Sequence, residues 1–275
     1  MSAERLARAA ARLAKSSDTP RLDAELLAAH SLGIEREAWL LDTARALPET
    51  FETLVERRAG GEPVAYITGR RGFWTIDLEV GPGVLIPRHD SETLLDAAVT
   101  HFAGRAPTRV LDLGTGPGTL LLAALDEWRQ ATGVGVDASA VALRYARRNA
   151  ERLGMAERAT LSQGDWAEGI DETFDLILSN PPYIAEADPD LSHDVAVNEP
   201  REALIAGADG LGDYRRLVPR LPSLLSPGGL AIVEIGPRQA ADVSALFRQA
   251  GMDPRVHRDL AGRDRAVSHV ADGAA

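Results

Sequence analysis

The nine residues Val110 to Gly118, VLDLGTGPG, set an apolar run against a glycine-rich turn, and an apolar, helix-like segment follows at once. A strand running into G-x-G-x-G and then a helix is the opening unit of an α/β sheet, where missing side chains let a ligand approach the backbone. Outward from it the same grammar repeats. Apolar strands read as GVGVD (133–137), ATLSQGD (159–165), FDLILSN (174–180) and GLAIVEIG (229–236), with weaker ones in DPRVHRDL (253–260) and RAVSHVA (265–271). The clearest intervening helix is ASAVALRYARRNAERLG (138–154). Nearly continuous apolar strands predict a mostly parallel sheet covered on both faces.

In such a sheet ligands lie beyond the carboxyl ends of the strands, so the residues that end each strand carry the chemistry. Here they are polar or glycine: Gly114, Gly116 and Gly118 with Thr115 and Pro117 between them, then Asp137, then Asp165-Trp166, then Asn180. A glycine turn alone also serves as a tight strand-to-helix connection with no ligand. Asp137, 23 residues after Gly114, adds a carboxylate placed to accept two hydrogen bonds from a ribose diol. Position 119 is Thr where a dinucleotide turn of the G-x-G-x-x-G type carries its third glycine, so the turn suits a nucleoside without phosphates. Asp112 reads equally as a partner for a cofactor's amino group and as a hydrogen-bond acceptor for the turn. Trp166 reads as a core aromatic or as a surface offered to an adenine, and its place beside Asp165 at a strand end favours the adenine.

SNPPYI (179–184) ends the fourth strand with an asparagine and two prolines, which cannot continue a ladder. Pro181 and Pro182 fix φ near -65° and push their predecessors out of the helical region. The Asn180 side chain and the Pro181 carbonyl are thereby held as two acceptors at the sheet edge. A planar nitrogen bearing two hydrogens can donate one bond to each, with Tyr183 stacked beside it. Such nitrogens are poor nucleophiles because their lone pair is delocalised, so orientation has to supply much of the catalysis, about 7 to 11 kcal/mol in favourable cases. S-adenosylmethionine fits the other half of the site: adenine, ribose, an amino acid and a reactive methyl sulfonium. A strand that merely stops at a proline turn would explain the prolines but not Asn180 and Tyr183.

Composition narrows the class. The chain of 275 residues has a formal net charge of -11, which argues against gripping long nucleic acid through general phosphate contacts. It has no cysteine, which excludes disulfides and thiolate metal sites and fits a reducing cytoplasm. The Arg- and Ala-rich N-terminus lacks the apolar core of a signal peptide, and nothing approaches the roughly 18 apolar residues of a membrane span. No metal is expected. From Ala3 to about Ala59, Leu6, Leu13, Leu26, Leu27, Leu40, Leu41, Phe51, Leu54 and Val55 recur at helical spacings. Thr19-Pro20 and Pro48 read as helix starts, and Gly33 and Gly60-Gly61 as ends, which predicts a small helical bundle. FWTIDLEVGPGVLIP (73–87) reads as two short strands around the GPG turn, followed by a helix capped near Asp90 or Ser91.

Taken together, AYITGRRGFW (65–74), VLIPRHDSETL (84–94), VLDLGTGPG, DLILSNPPYI (175–184), NEPREALIAGADGL (198–211), SPGGLAIVEIG (226–236) and DLAGRDRAV (259–267) resemble the HemK/PrmC family, the peptide chain release factor glutamine methyltransferases. The resemblance implies an N-terminal helical domain (1–72) for release-factor recognition, a β-hairpin linker (73–89) and a class I, Rossmann-like methyltransferase domain (90–275) with a mostly parallel seven-stranded sheet. It implies methyl transfer from S-adenosylmethionine, leaving S-adenosylhomocysteine, to the side-chain amide of the Gly-Gly-Gln glutamine in class 1 release factors. By position, Gly114 to Gly118, Asp137, Trp166 and Asn180 would contact the donor, with Asp165 beside them, and Asn180, Pro181, Pro182 and Tyr183 would hold the glutamine. A cytoplasmic enzyme with no membrane and no direct nucleic-acid partner is expected. His89 and Ser91 depart from the family's usual Pro and Thr, and Pro117 from a small polar residue. Arg88 reads as a loop contact or a helix cap, Glu199-Pro200 as a brace, and Arg57, Arg58, Arg70 and Arg71 as a partner patch or solvated helix-end charges. His193, a lone loop histidine, reads as solvent-facing. The rival readings are a nucleic-acid amino-group methyltransferase, a nicotinamide oxidoreductase and a catalytically silent scaffold.

Overall fold

The computed structural model describes residues 2–188 and 193–273, with the side chains of residues 193 and 194 outside that description. The chain forms two compact units: one runs up to Arg70 and takes in the helix 193–198, and the other comprises the rest from Arg71 on. That helix lies far along the chain from the rest of its unit.

The first unit is helical: α1 (Ser2–Leu13), α2 (Pro20–Leu32), α3 (Arg36–Leu41), α4 (Thr50–Ala59) and α5 (Val64–Thr68), with α9 (His193–Asn198) added from later in the chain. Leu6, Leu13, Leu27, Trp39, Phe51 and Val55 are fully buried together. Leu40 and Leu41 are not part of this core: α3 turns Trp39 inward and leaves both leucines exposed. One large aromatic in a six-residue helix fills the space two leucines were expected to share. Pro20 starts α2 and Gly33 ends it in the left-handed conformation, but the Thr19 hydroxyl bonds Asp23 rather than capping the backbone. Asp23 in turn holds Arg58 at 2.7 Å, with both side chains nearly buried. Arg58 is thus a structural cation, and Arg57 is paired with Glu62 at 2.5 Å.

The second unit opens with a two-stranded sheet, β1 (Arg70–Phe73) and β2 (Ile76–Glu79). The turn falls at Trp74-Thr75, one strand earlier than the GPG expected to make it. Trp74 adopts a φ of 52°, and Glu92 and Asp126 hold the turn by accepting from the Trp74 amide at 3.0 Å and the Thr75 hydroxyl at 2.6 Å. Residues 84–87 run outside any ladder. Here Arg71 donates to the Pro87 carbonyl.

The main sheet has seven strands in the order β5-β4-β3-β6-β7-β9-β8. They are β3 (Arg109–Leu113), β4 (Thr132–Asp137), β5 (Ala159–Gln163), β6 (Phe174–Ser179), β7 (Leu225–Glu234), β8 (Arg255–Arg258) and β9 (Asp264–Val270). The first five are parallel and β9 runs antiparallel to both β7 and β8. Helices α6 (Glu92–His101), α7 (Thr119–Glu127), α8 (Ala140–Arg152), α10 (Gly212–Leu217), α11 (Leu221–Leu224) and α12 (Ala240–Gln249) accompany them. Leu111, Leu113, Ile177, Ala231 and Val233 are fully buried at its centre, each large side chain contributing about 1.5 to 3 kcal/mol. No helix among the described residues is long and apolar enough to cross a membrane.

After β3 the chain builds β4 and β5 on one side and returns to place β6 on the other. The crevice of a doubly wound sheet therefore opens where β3 and β6 end, side by side. Asp112 and the glycine turn lie on one lip and Asn180 on the other.

Candidate methyl-transfer site

One cavity of about 610 Å³ occupies this crevice and is lined by the glycine turn, Asp112, Asp137, Asp165, Trp166, Asn180 and Pro182. The turn is held from below. Asn149 of α8, fully buried, donates to the Pro117 and Glu79 carbonyls at 2.9 and 3.0 Å and accepts from the Glu79 amide at 2.7 Å. Gly118 begins α7 with a φ of 89°, and a Cβ there would fall 2.7 Å from Leu122. Gly116, with a φ of 58°, has nothing within 4 Å of its missing Cβ and gives its amide to Asp137 at 2.8 Å. That open space faces the cavity, which a side chain would fill.

Asp137 ends β4 with one oxygen on Gly116 and the other on the Ser139 amide, and its pKa is raised chiefly by burial. Each oxygen keeps a second acceptor site for a ligand hydroxyl. Asp112 answers both of its sequence readings. Its Oδ2 accepts from the Thr115 hydroxyl at 2.7 Å and the Leu121 amide at 3.1 Å, tying the turn to α7. Its Oδ1 is buried without a hydrogen-bond partner. Burial pushes the Asp112 pKa up to about 7. A carboxylate oxygen left unsatisfied on a cavity wall fits a ligand that brings an ammonium group.

Trp166 sits in the left-handed region at a φ of 50°. Its ring packs on the central core and closes over Gly114, whose Cβ would lie 3.3 Å from it. Asp165 lies two residues beyond the end of β5 and pairs with Arg216 on the cavity wall. Asn180 and Pro182 reach the cavity, while Pro181 and Tyr183 are not among its lining residues. The Tyr183 hydroxyl points away toward Glu234 at 3.4 Å, its carbonyl accepts from Gln239 at 2.9 Å, and burial is the main cause that raises its pKa.

Four contributors escaped the sequence reading. Ser91 does not cap α6, which starts after a 3-10 turn at 89–91; its hydroxyl accepts from Asn180 Nδ2 at 3.1 Å. Glu234 and Arg265 stand behind the Asn-Pro-Pro-Tyr corner, and Gln239 straps its backbone. Their only motif signal was membership of the blocks HDSETL for Ser91, VEIG for Glu234 and GRDR for Arg265; Gln239 had none. Glu199 does brace the lip, accepting from the Ile86 amide at 2.9 Å and pairing with Arg88, which itself lines the cavity. His89 contacts Glu92 at the surface, and the His193 side chain lies outside the described residues.

Comparison with known proteins follows the same division. Residues 4–69 match the PrmC N-terminal domain family and residues 105–248 a methyltransferase domain family. The release factor glutamine methyltransferase of Caulobacter vibrioides is 44% identical over 260 residues, covering 92% of this chain and 90% of its own. The enzyme of the same name from Rhodospirillum rubrum is 45% identical over 256 residues, covering 91% and 78%. Among solved structures, a Thermus thermophilus 16S rRNA guanine N2 methyltransferase in complex with AdoMet and guanosine superposes with a TM-score of 0.55 at 19% identity. That match covers 74% of this chain and 49% of the other. A ribosomal protein L11 methylase from Lactobacillus delbrueckii superposes with a TM-score of 0.51 at 19% identity, covering 72% and 86%. These likenesses show a class I methyltransferase fold. With relatives of that name matched over nearly its whole length, the chain belongs to the release factor glutamine methyltransferase family.

Proposed function

We propose that this protein methylates the side-chain amide nitrogen of the Gly-Gly-Gln glutamine of class 1 release factors, in the cytoplasm, with S-adenosylmethionine as donor. The observation that carries the reading is the meeting of Asn180 with Asp112, Asp137 and the glycine turn around one cavity at the sheet's switch point. Bound there, S-adenosylmethionine supplies an electrophilic methyl group on a sulfonium. Asp137 would hold the ribose, Asp112 Oδ1 the ammonium, the backbone at Gly116 the space between them, and Trp166 with Asp165 the adenine edge. The Asn180 side-chain oxygen and the Pro181 carbonyl would accept the two amide hydrogens of glutamine. This holds the nitrogen's lone pair perpendicular to the amide plane, where an unreactive amide needs its orientation preset. No strong base is required: attack of the neutral amide nitrogen would leave an N-methylated amide cation and the neutral thioether, and that cation is acidic enough to lose its proton to water.

The helical unit would serve release-factor recognition. A nucleic-acid amino group could occupy the same two acceptors, but the charge of -11 gives little to attract a polyanion. Transfer of labelled methyl from S-adenosylmethionine to intact release factor, to its Gly-Gly-Gln glutamine variant and to bulk RNA and DNA tests the reading. Label in the intact release factor alone is expected; label in nucleic acid overturns the substrate.

A further inference from the structure

Glu234 is the last residue of β7, one step beyond Val233, which is in register with Ser179 at the end of β6. Its side chain therefore lies behind the Asn180 corner, 1% exposed. Tyr214 of α10 pins its carbonyl at 2.8 Å. The groups facing its carboxyl are Arg265 from β9, Asp90 and Ser91 from the 3-10 turn, and Tyr183 from the corner, with Tyr214 beneath. Arg265 is committed elsewhere: its Nη2 lies 2.9 Å from Asp90 and 3.3 Å from Asp259, and its buried Nε has no hydrogen-bond partner. Arg263 pairs with the same two aspartates at 3.1 and 2.9 Å. Two guanidiniums thus serve two aspartates and leave the third carboxyl, Glu234, to neutral hydroxyls. Tyr183 reaches Oε1 at a long 3.4 Å, and Oε2 has no partner at normal hydrogen-bonding geometry. A buried carboxyl without its own cation costs stability, so packing gives it no reason to be there.

Ser91, one of the groups facing the Glu234 carboxyl, also meets Asn180. Ser91 Oγ accepts from Asn180 Nδ2 at 3.1 Å, so its own proton is available to another acceptor. Resting on the reading of Asn180 as the acceptor of the substrate amide, we propose that Glu234 is a positioning residue. Its carboxylate takes the Ser91 proton, Ser91 takes an Asn180 amide proton, and the Asn180 oxygen is left facing the substrate. An ionised carboxylate can only accept, so the direction of the whole chain is set from its buried end. Once Glu234 is protonated, it can donate to Ser91, the chain can run the other way, and Asn180 can turn its NH₂ toward the substrate NH₂. The same carboxylate orients the Tyr183 hydroxyl.

Burial, partly opposed by Ser91 and Arg265, raises the Glu234 pKa to about 7. Active enzyme is the ionised form, so kcat falls as pH drops through that value. The test measures kcat at saturating donor with intact release factor from pH 5.5 to 9 for wild type, Glu234→Gln, Ser91→Ala and Ser91→Thr. Saturating donor removes any effect on donor binding. Glu234→Gln is isosteric and drops a buried charge, so it is expected to fold, with an unchanged circular dichroism spectrum and donor affinity within about two-fold. Its kcat at pH 8 should fall about ten-fold or more, and its acid limb should flatten. Ser91→Ala should show a similar loss and Ser91→Thr, which keeps the hydroxyl, should stay within about three-fold of wild type. A Gln variant with wild-type kcat, or one that loses kcat with its acid limb intact, overturns the positioning role. Wild type that fails to label release factor at any pH overturns the substrate reading and this proposal with it; wild type that labels it while Glu234→Gln matches wild type overturns only the proposal.

Discussion

At the scale of the residue, the two halves of the site make separable demands. On the proposed function Asn180 is an acceptor that no neighbour replaces, so Asn180→Ala should lower turnover by about a thousand-fold or more while circular dichroism and donor affinity stay near wild type. Near-wild-type turnover would remove Asn180 from the chemistry. Asp137→Ala removes two ligand acceptors and the clamp on Gly116, and should weaken donor binding by calorimetry about ten- to a hundred-fold. Unchanged affinity would refute the ribose assignment. Asp112 adds a pH signature. Its pKa, raised by burial to about 7, means that the folded protein binds a proton the unfolded chain has lost between pH 3.8 and 7. That contribution to stability is present below pH 3.8 and lost as pH rises through about 7. The unfolding free energy of Asp112→Asn, from urea denaturation, should therefore gain on wild type as pH goes from 5 to 8, by up to a few kcal/mol at about 1.4 kcal/mol per pKa unit. Donor affinity of the wild type should rise over the same range, and that rise should vanish in the variant.

Elements carry the site through a few buried polar side chains. Asn149, itself fully buried, ties β2, α8 and the glycine turn with three hydrogen bonds. Asn149→Ala leaves three backbone groups unsatisfied and should cost about 2 to 4 kcal/mol in urea denaturation. Because the Pro117 carbonyl is one of them, donor affinity should fall as well; a loss of stability with intact affinity would mean that the turn holds its shape without this strut. The strands themselves were legible: β3, β4, β6 and β7 coincide with apolar runs that end in glycine or a polar residue. The hairpin was misplaced because GPG is the stronger local turn signal. The Trp74-Thr75 turn depends on Glu92 and Asp126, which lie far enough along the chain to leave no local trace. The helix start at Ser91 was read as a cap for the same reason: residue type favours capping, and only the approach of Asn180 diverts the hydroxyl.

For the molecule as a whole, the helical unit has its own core and its own buried ion pair. Arg58→Ala would strand Asp23, and Asp23→Ala would strand Arg58, at a cost of about 3 to 5 kcal/mol. The cavity proposed to take the methyl donor lies in the other unit, so donor affinity measured below the unfolding transition should be unchanged while thermal or urea stability falls. A matching loss of affinity would show that the two units share one folding equilibrium. What the sequence determined by itself is what repeats or is local. Strand apolarity dictates the parallel sheet, and the strand ends single out Gly114, Asp137 and Asn180, which line one cavity. What tertiary structure alone decided is which distant side chains meet. Asp112 Oδ1 left without a partner, Ser91 turned to Asn180, and Glu234 enclosed behind Tyr183 with no cation of its own all depend on the sheet order and on burial. Neither acts between neighbours in the chain: desolvation and hydrogen-bond direction are properties of the closed crevice, and they exist only once β3, β6 and β7 lie side by side.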